Sequence, residues 1–246
     1  QELLLSYEGL GGSFYDAMLT RVKHEQVKEP LWTGNIKMND TPQGPRVDQL
    51  VRQSPGFLKL WEPPQEQWPK GMYVMGIDVA SGSKNTEGRG ASNSVIVVGR
   101  IEGQKVVKIA QYMTHGLLPH LFARVVCSLG WCFKAANQMP TYAIWEKNGP
   151  GDIMGNVLTS TLNYPNVHWA LNAQGQATPG FQMATWRRGD GTLAGSKVNV
   201  FNEHKAWLEL GDYEEPSYDT YREMEQYIYT QDGGAEHCGR RGSLDP

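Results

Sequence analysis

The pattern of apolar and polar positions changes character along the chain. Residues 72–79 (Met-Tyr-Val-Met-Gly-Ile-Asp-Val) are almost wholly apolar until Asp78, as in a buried strand with a carboxylate at its end. Two more strand-like runs, 94–101 and 105–113, flank Glu102-Gly103-Gln104, a turn of hairpin type. Residues 117–136 place Leu118, Leu121, Phe122, Val125, Val126 and Leu129 at helical spacing. A strand over 142–145 ends at Glu146. Asn148-Gly149-Pro150-Gly151 then turns the chain into a helix over 152–162, and 167–170 reads as a further strand. The order β-β-β-α-β-α-β predicts an α/β fold: an antiparallel three-strand meander, then parallel strands of βαβ type, with helices on both faces of a mixed sheet.

The flanks read differently. Residues 1–7 suggest a short strand, followed by a glycine turn and a helix starting at Ser13, with Ser13 as its N-cap and Asp16 in its first turn. Residues 30–70 carry prolines at 30, 42, 45, 55, 63, 64 and 69. Proline has no amide donor, so this stretch predicts a linker anchored by Trp32, Phe57, Trp61 and Trp68. Residues 172–197 are irregular, and helices are expected at 200–210 and 218–225 with a strand at 226–230. The chain starts at Gln1 on an apolar run and stops at Pro246 after a Gly/Arg-rich stretch, and both ends read as cuts in a longer protein.

Composition narrows the function classes. With 39% hydrophobic and 20% charged residues the chain is an ordinary globule. No apolar run reaches the ~18 residues that span a bilayer, so a membrane partner is not expected. A net charge of −3 is not that of a dedicated nucleic-acid binder. Bound cations and a few Lys/Arg loops could nonetheless offset it. Cys127, Cys132 and Cys238 form no Cys-x-x-Cys pair, which argues against a zinc knuckle or disulfide framework and suits a reducing cytosol. Cys127 and Cys132 lie in the apolar helical stretch and read as core. No pair among His24, His115, His120, His168, His204 and His237 has metal-ligand spacing.

Candidate chemistry centres on Asp78 and Glu146. A carboxylate at the end of a buried strand is costly to desolvate unless it is paired or ligates a metal. At the carboxyl edge of an open sheet it faces the crevice where ligands bind. If the two strands are neighbours, the like charges repel, and a divalent cation relieves the conflict. Oxygen ligands suit Mg²⁺ or Mn²⁺, and two such ions roughly 4 Å apart can drive phosphodiester hydrolysis. The structural alternative is that Asp78 forms a turn or caps a helix and that Glu146 pairs with Lys147. The glycine-rich loops after both residues favour the close approach of a phosphate backbone. Candidate phosphate partners are Lys84 and Arg89 after Asp78, Lys147 after Glu146, Arg187 and Arg188 beside Trp186, and Arg240 and Arg241 near the end. No phosphate-binding GxxxxGK[ST] loop is present, so ATP hydrolysis is not expected of this segment.

Met75-Gly-Ile-Asp-Val-Ala-Ser-Gly82, the run 92–103 (SNSVIVVGRIEG) and 142–151 (YAIWEKNGPG) together resemble the nuclease domain of the large terminase subunit of tailed bacteriophages. Gly180-Phe181-Gln182, the helix near Lys205 to Leu210 and the run 224–229 (MEQYIY) also fit, and the likeness covers roughly residues 70–246. The resemblance implies a ribonuclease H-like fold and a two-metal endonuclease that cuts concatemeric double-stranded viral DNA during genome packaging. It places Asp78 and Glu146 as the first two metal ligands. It also implies a small terminase subunit and a portal protein as partners, and action at the procapsid in the host-cell cytoplasm. Residues 1–29 would be the tail of a preceding ATPase domain, 30–70 the linker and 71–246 the nuclease domain. The family's third acidic ligand follows the last strand. Asp232, His237 and Asp245 are available there, with Asp245 the candidate unless the ligand lies past Pro246. Ser92 stands where the family often has an acidic residue. Three readings compete: a Holliday-junction resolvase or transposase of the same superfamily, a sugar-kinase or actin-like ATPase, and a degenerate DNA- or portal-binding module.

Overall fold

The computed structural model describes residues 12–82, 93–171, 175–183, 186–187, 193–229 and 235–237. Contacts divide the chain into two compact units: Pro30–Met183, and the residues up to Glu29 together with those beyond Met183.

The larger unit is built on one mixed sheet. Its strands are β1 (Trp32–Thr41), β2 (Gly44–Arg52), β3 (Leu58–Leu60), β4 (Met72–Asp78), β5 (Asn93–Glu102), β6 (Lys105–His115) and β7 (Tyr142–Trp145). They lie in the order β2-β1-β3-β6-β5-β4-β7. The expected meander is present: β4 pairs antiparallel with β5, and β5 with β6. The expected crossover is present too, with β7 parallel to β4 after the helix Pro119–Cys132. Pro119 opens that helix after an extended Leu118, where its missing amide costs no intrahelical bond. One sheet face carries Tyr73, Met75, Ile77, Ile96, Val98, Ala143 and Trp145. It packs in one apolar cluster with Phe122, Val125, Val126 and Leu129 of the helix and with Met154 and Leu158 of the next helical segment. Cys127 is buried in this cluster, as its sequence setting predicts.

The linker expected at 30–70 is instead sheet. β1 and β2 form a long hairpin, and β3 joins β1 to β6. The prolines punctuate these strands without breaking them. Pro30 precedes β1, Pro42 sits in the turn where the Thr41 hydroxyl donates to the Gly44 carbonyl at 2.7 Å, and Pro45 lies on the outermost strand of the sheet order. On an outer strand a missing donor can face outward, so proline is tolerated.

The smaller unit gathers the N-terminal and C-terminal portions. A helix begins at Asp16 and continues through Gln26; others span Ser196–Leu210 and Tyr218–Met224. Phe14, Tyr15, Met18 and Val22 pack with Leu208, Tyr221 and Met224. Ser13, expected as a cap, pairs with Ile228 of the strand Tyr227–Tyr229 instead, and the Phe14 amide donates to the Tyr227 carbonyl at 2.8 Å. Residues 14–22, within the stretch expected as the tail of a preceding domain, thus pack with the C-terminal helices. The strand expected at 1–7 lies outside the described residues. Among the described residues no helix is long and apolar enough to cross a membrane.

Candidate metal centre

The parallel ladder between β4 and β7 pairs Val74 with Tyr142, Gly76 with Ile144, and Ile77 with Trp145. One step further along both strands stand Asp78 and Glu146. Side chains alternate across a sheet, and residues level in a parallel pair point the same way. Ile77 and Trp145 are buried on the core face, and strand alternation turns the next residue of each chain segment, Asp78 and Glu146, away from that core. Asp78 is exposed and Glu146 half-buried, so solvent reaches both.

Each carboxylate is fixed by its own surroundings. Asp78 closes a strand paired on both sides, opposite Val95 of β5. Just past it, the Ala80 amide donates to the hydroxyl of buried Ser94 at 2.9 Å, which fixes the first step of the following loop. Glu146 sits where β7 gives way to a parallel bridge with Phe181. There the Phe181 amide donates to the Trp145 carbonyl at 3.0 Å, and the Lys147 amide to the Phe181 carbonyl at 2.7 Å. The Asn148 side-chain amide donates to Glu146 Oε1 at 2.8 Å and to the Met183 carbonyl at 2.8 Å. Three glycines let the chain close around this point. A Cβ on Gly151 would overlap the Glu146 carbonyl oxygen, while on Gly155 and Gly180 it would come within 2.6 Å and 2.8 Å of the Trp145 indole. Gly180 also has φ +76, a conformation that other residues rarely adopt.

Beside Glu146 opens a groove of about 600 Å³ lined by Lys147, Asn148, Asp152, Ala170, Thr178 and Gln182. Part of its wall is the small hairpin of β8 (Trp169–Leu171) and β9 (Ala177–Pro179). Lys147 lies 3.9 Å from Asp152 at a half-exposed position, so its charge is partly balanced within the groove.

The remaining sequence candidates divide clearly. Lys84, Arg89, Arg188, Arg240, Arg241 and Asp245 lie outside the described residues, as does Ser92. Arg187 is described by its backbone alone, in a two-residue strand paired with Leu193. Among the described residues no three His, Cys, Asp or Glu side chains converge in a way that could hold a metal ion. The two carboxylates present are nonetheless the right donor type for a hard divalent cation. Asn148, read from the sequence as part of a turn, is a carboxylate partner as well; the usable signal was its place two residues after Glu146.

No family model and no curated protein matches the chain in sequence. Solved structures do match in shape. The large terminase nuclease of thermophilic phage G20c with bound zinc aligns over 87% of this chain and 90% of its own, with 12% identity and a TM-score of 0.50. The same nuclease with bound magnesium aligns over 75% and 79%, with 13% identity and a TM-score of 0.49. The large terminase nuclease domain of Thermus phage P74-26 aligns over 91% and 84%, with 13% identity and a TM-score of 0.46. The chain therefore has the α/β, ribonuclease H-like fold of a large terminase nuclease domain.

Proposed function

We propose that this chain is a divalent-metal-dependent endonuclease that cuts double-stranded DNA during viral genome packaging. What supports the reading is that Asp78 and Glu146 each come directly after the last paired residues, Ile77 and Trp145, of two neighbouring parallel strands. Like charges brought near one another repel, and a cation between them relieves the conflict. The likeness to a phage nuclease held with zinc supports the choice of a metal over a structural cation such as lysine.

In this reading Asp78 and Glu146 are two of the metal ligands; of the acidic residues within this sequence, Asp245 is the one considered for a third. Bound Mg²⁺ or Mn²⁺, as a pair of ions, would supply an activated water and stabilise the departing oxygen. The protein's own contribution is placement. The sheet fixes Asp78, the turn after β7 fixes Glu146, and Lys147 stands beside them for a phosphate oxygen. Lys84, Arg89, Arg187, Arg188, Arg240 and Arg241 would add phosphate contacts along the duplex. The packaging role brings a small terminase subunit and a portal protein as partners, in the host cytoplasm.

Nicking of supercoiled plasmid tests the proposal. The chain is expected to cut with Mn²⁺ or Mg²⁺ and to stop when EDTA is added. Asp78→Ala and Glu146→Ala are each expected to slow cutting on the order of 10³-fold, the loss of several kcal/mol of metal-derived stabilisation. Cutting at the unmodified rate by both variants overturns the assignment.

A further inference from the structure

Resting on the metal-centre reading, we infer that Asn148 is a positioning residue for the metal: its amide holds Glu146 by Oε1 so that Oε2 is presented to the cation. A primary amide has two N–H donors. Both are committed here, one to Glu146 Oε1 and one to the Met183 carbonyl, each at 2.8 Å. Both partners are acceptors, and this settles which end of the amide faces them. Glu146 is thus tied at Oε1, which in this reading leaves Oε2 as the oxygen to face a cation.

Two backbone bonds hold Phe181 on either side of Glu146, from Phe181 to Trp145 and from Lys147 to Phe181. What the Asn148 side chain adds to them is a link from the Met183 carbonyl to the carboxylate. Its anchor on the Met183 carbonyl fixes the angle from which it grips Glu146. Groups that orient a metal ligand from behind contribute strongly to metal affinity, and their loss typically weakens it about 10- to 100-fold.

Calorimetric titration of Mn²⁺ into the whole chain tests the inference without any turnover. Asn148→Ala is expected to bind Mn²⁺ at least ~10-fold more weakly, while its melting temperature stays within about 3 °C of the unmodified chain. Because Asn148 acts through Glu146, Asn148→Ala added to Glu146→Gln is expected to cost nothing further. Unchanged affinity in Asn148→Ala, or a full additional loss in the double variant, overturns the inference. If Asn148→Ala fails to fold, side-chain amide NMR of the unmodified chain takes its place. The Asn148 N–H resonances are expected to shift with Mg²⁺, following the same midpoint as the calorimetry, and resonances unmoved at saturation overturn the inference. Absence of any Mn²⁺ binding by the unmodified chain removes the metal centre itself. Binding that survives Asn148→Ala intact removes only this role.

Discussion

Asp78 ends β4 and Glu146 follows directly on the neighbouring β7, yet they are held by different means. Asp78 is placed by the sheet. Its strand is paired on both sides, and among the described residues a Cβ built on Gly76, two residues earlier on the same face, meets nothing within 4 Å. Glu146 is placed by close packing of a turn, with Gly151 against its carbonyl, Gly155 and Gly180 against the preceding Trp145, and Asn148 on its carboxylate. A carboxylate set by a ladder inherits the rigidity of many hydrogen bonds and tolerates change nearby. One set by a turn depends on a few residues of one exact size.

Substitutions that add a single methyl group can break or sharpen this contrast. Gly151→Ala has the largest expected effect on stability, because the methyl meets backbone that cannot move aside. A loss of about 3 kcal/mol or more is expected, read as a fall of about 10 °C in melting temperature. Gly180→Ala comes next, at about 1–3 kcal/mol by overpacking against the Trp145 indole, measured by urea denaturation. On the Asp78 side, Ser94→Ala removes the acceptor of the Ala80 amide and is expected to cost about 1 kcal/mol. Gly76→Ala is expected to stay within ~0.5 kcal/mol of the unmodified chain. A Gly76→Ala variant as damaged as Gly151→Ala would erase the distinction between the two sides.

Much of the central sheet was legible in the sequence because buried strands read as apolar runs. The runs ending at Asp78 and Glu146, and the hairpin turn at Gly103, all stand where expected. What apolar runs do not encode is register. Nothing local to Val74 or Tyr142 announces that the two pair, and that pairing is what brings the ends of the two strands side by side. The hairpin of β1 and β2 was hidden for another reason. Proline was weighed as a strand breaker, whereas Pro42 occupies the turn and Pro45 an outer strand, where the rule relaxes. Ser13 shows the same limit on a smaller scale: a good capping residue by type, it was recruited into a bridge with Ile228 by tertiary packing. Asn148 was visible as a turn residue. Its second role depends on Met183 arriving from a distant part of the chain.

The same Pro45 has a consequence for how the molecule behaves in a crowded cell. A nine-residue strand at the margin of a sheet offers a row of backbone groups to any other extended chain, and so invites self-association. Here that row lacks one amide hydrogen at Pro45, its partner strand is buckled by an irregularity between Lys37 and Met38, and the exposed Asp48 and Arg52 put charge along it. The margin of the sheet is thereby a poor template for aggregation.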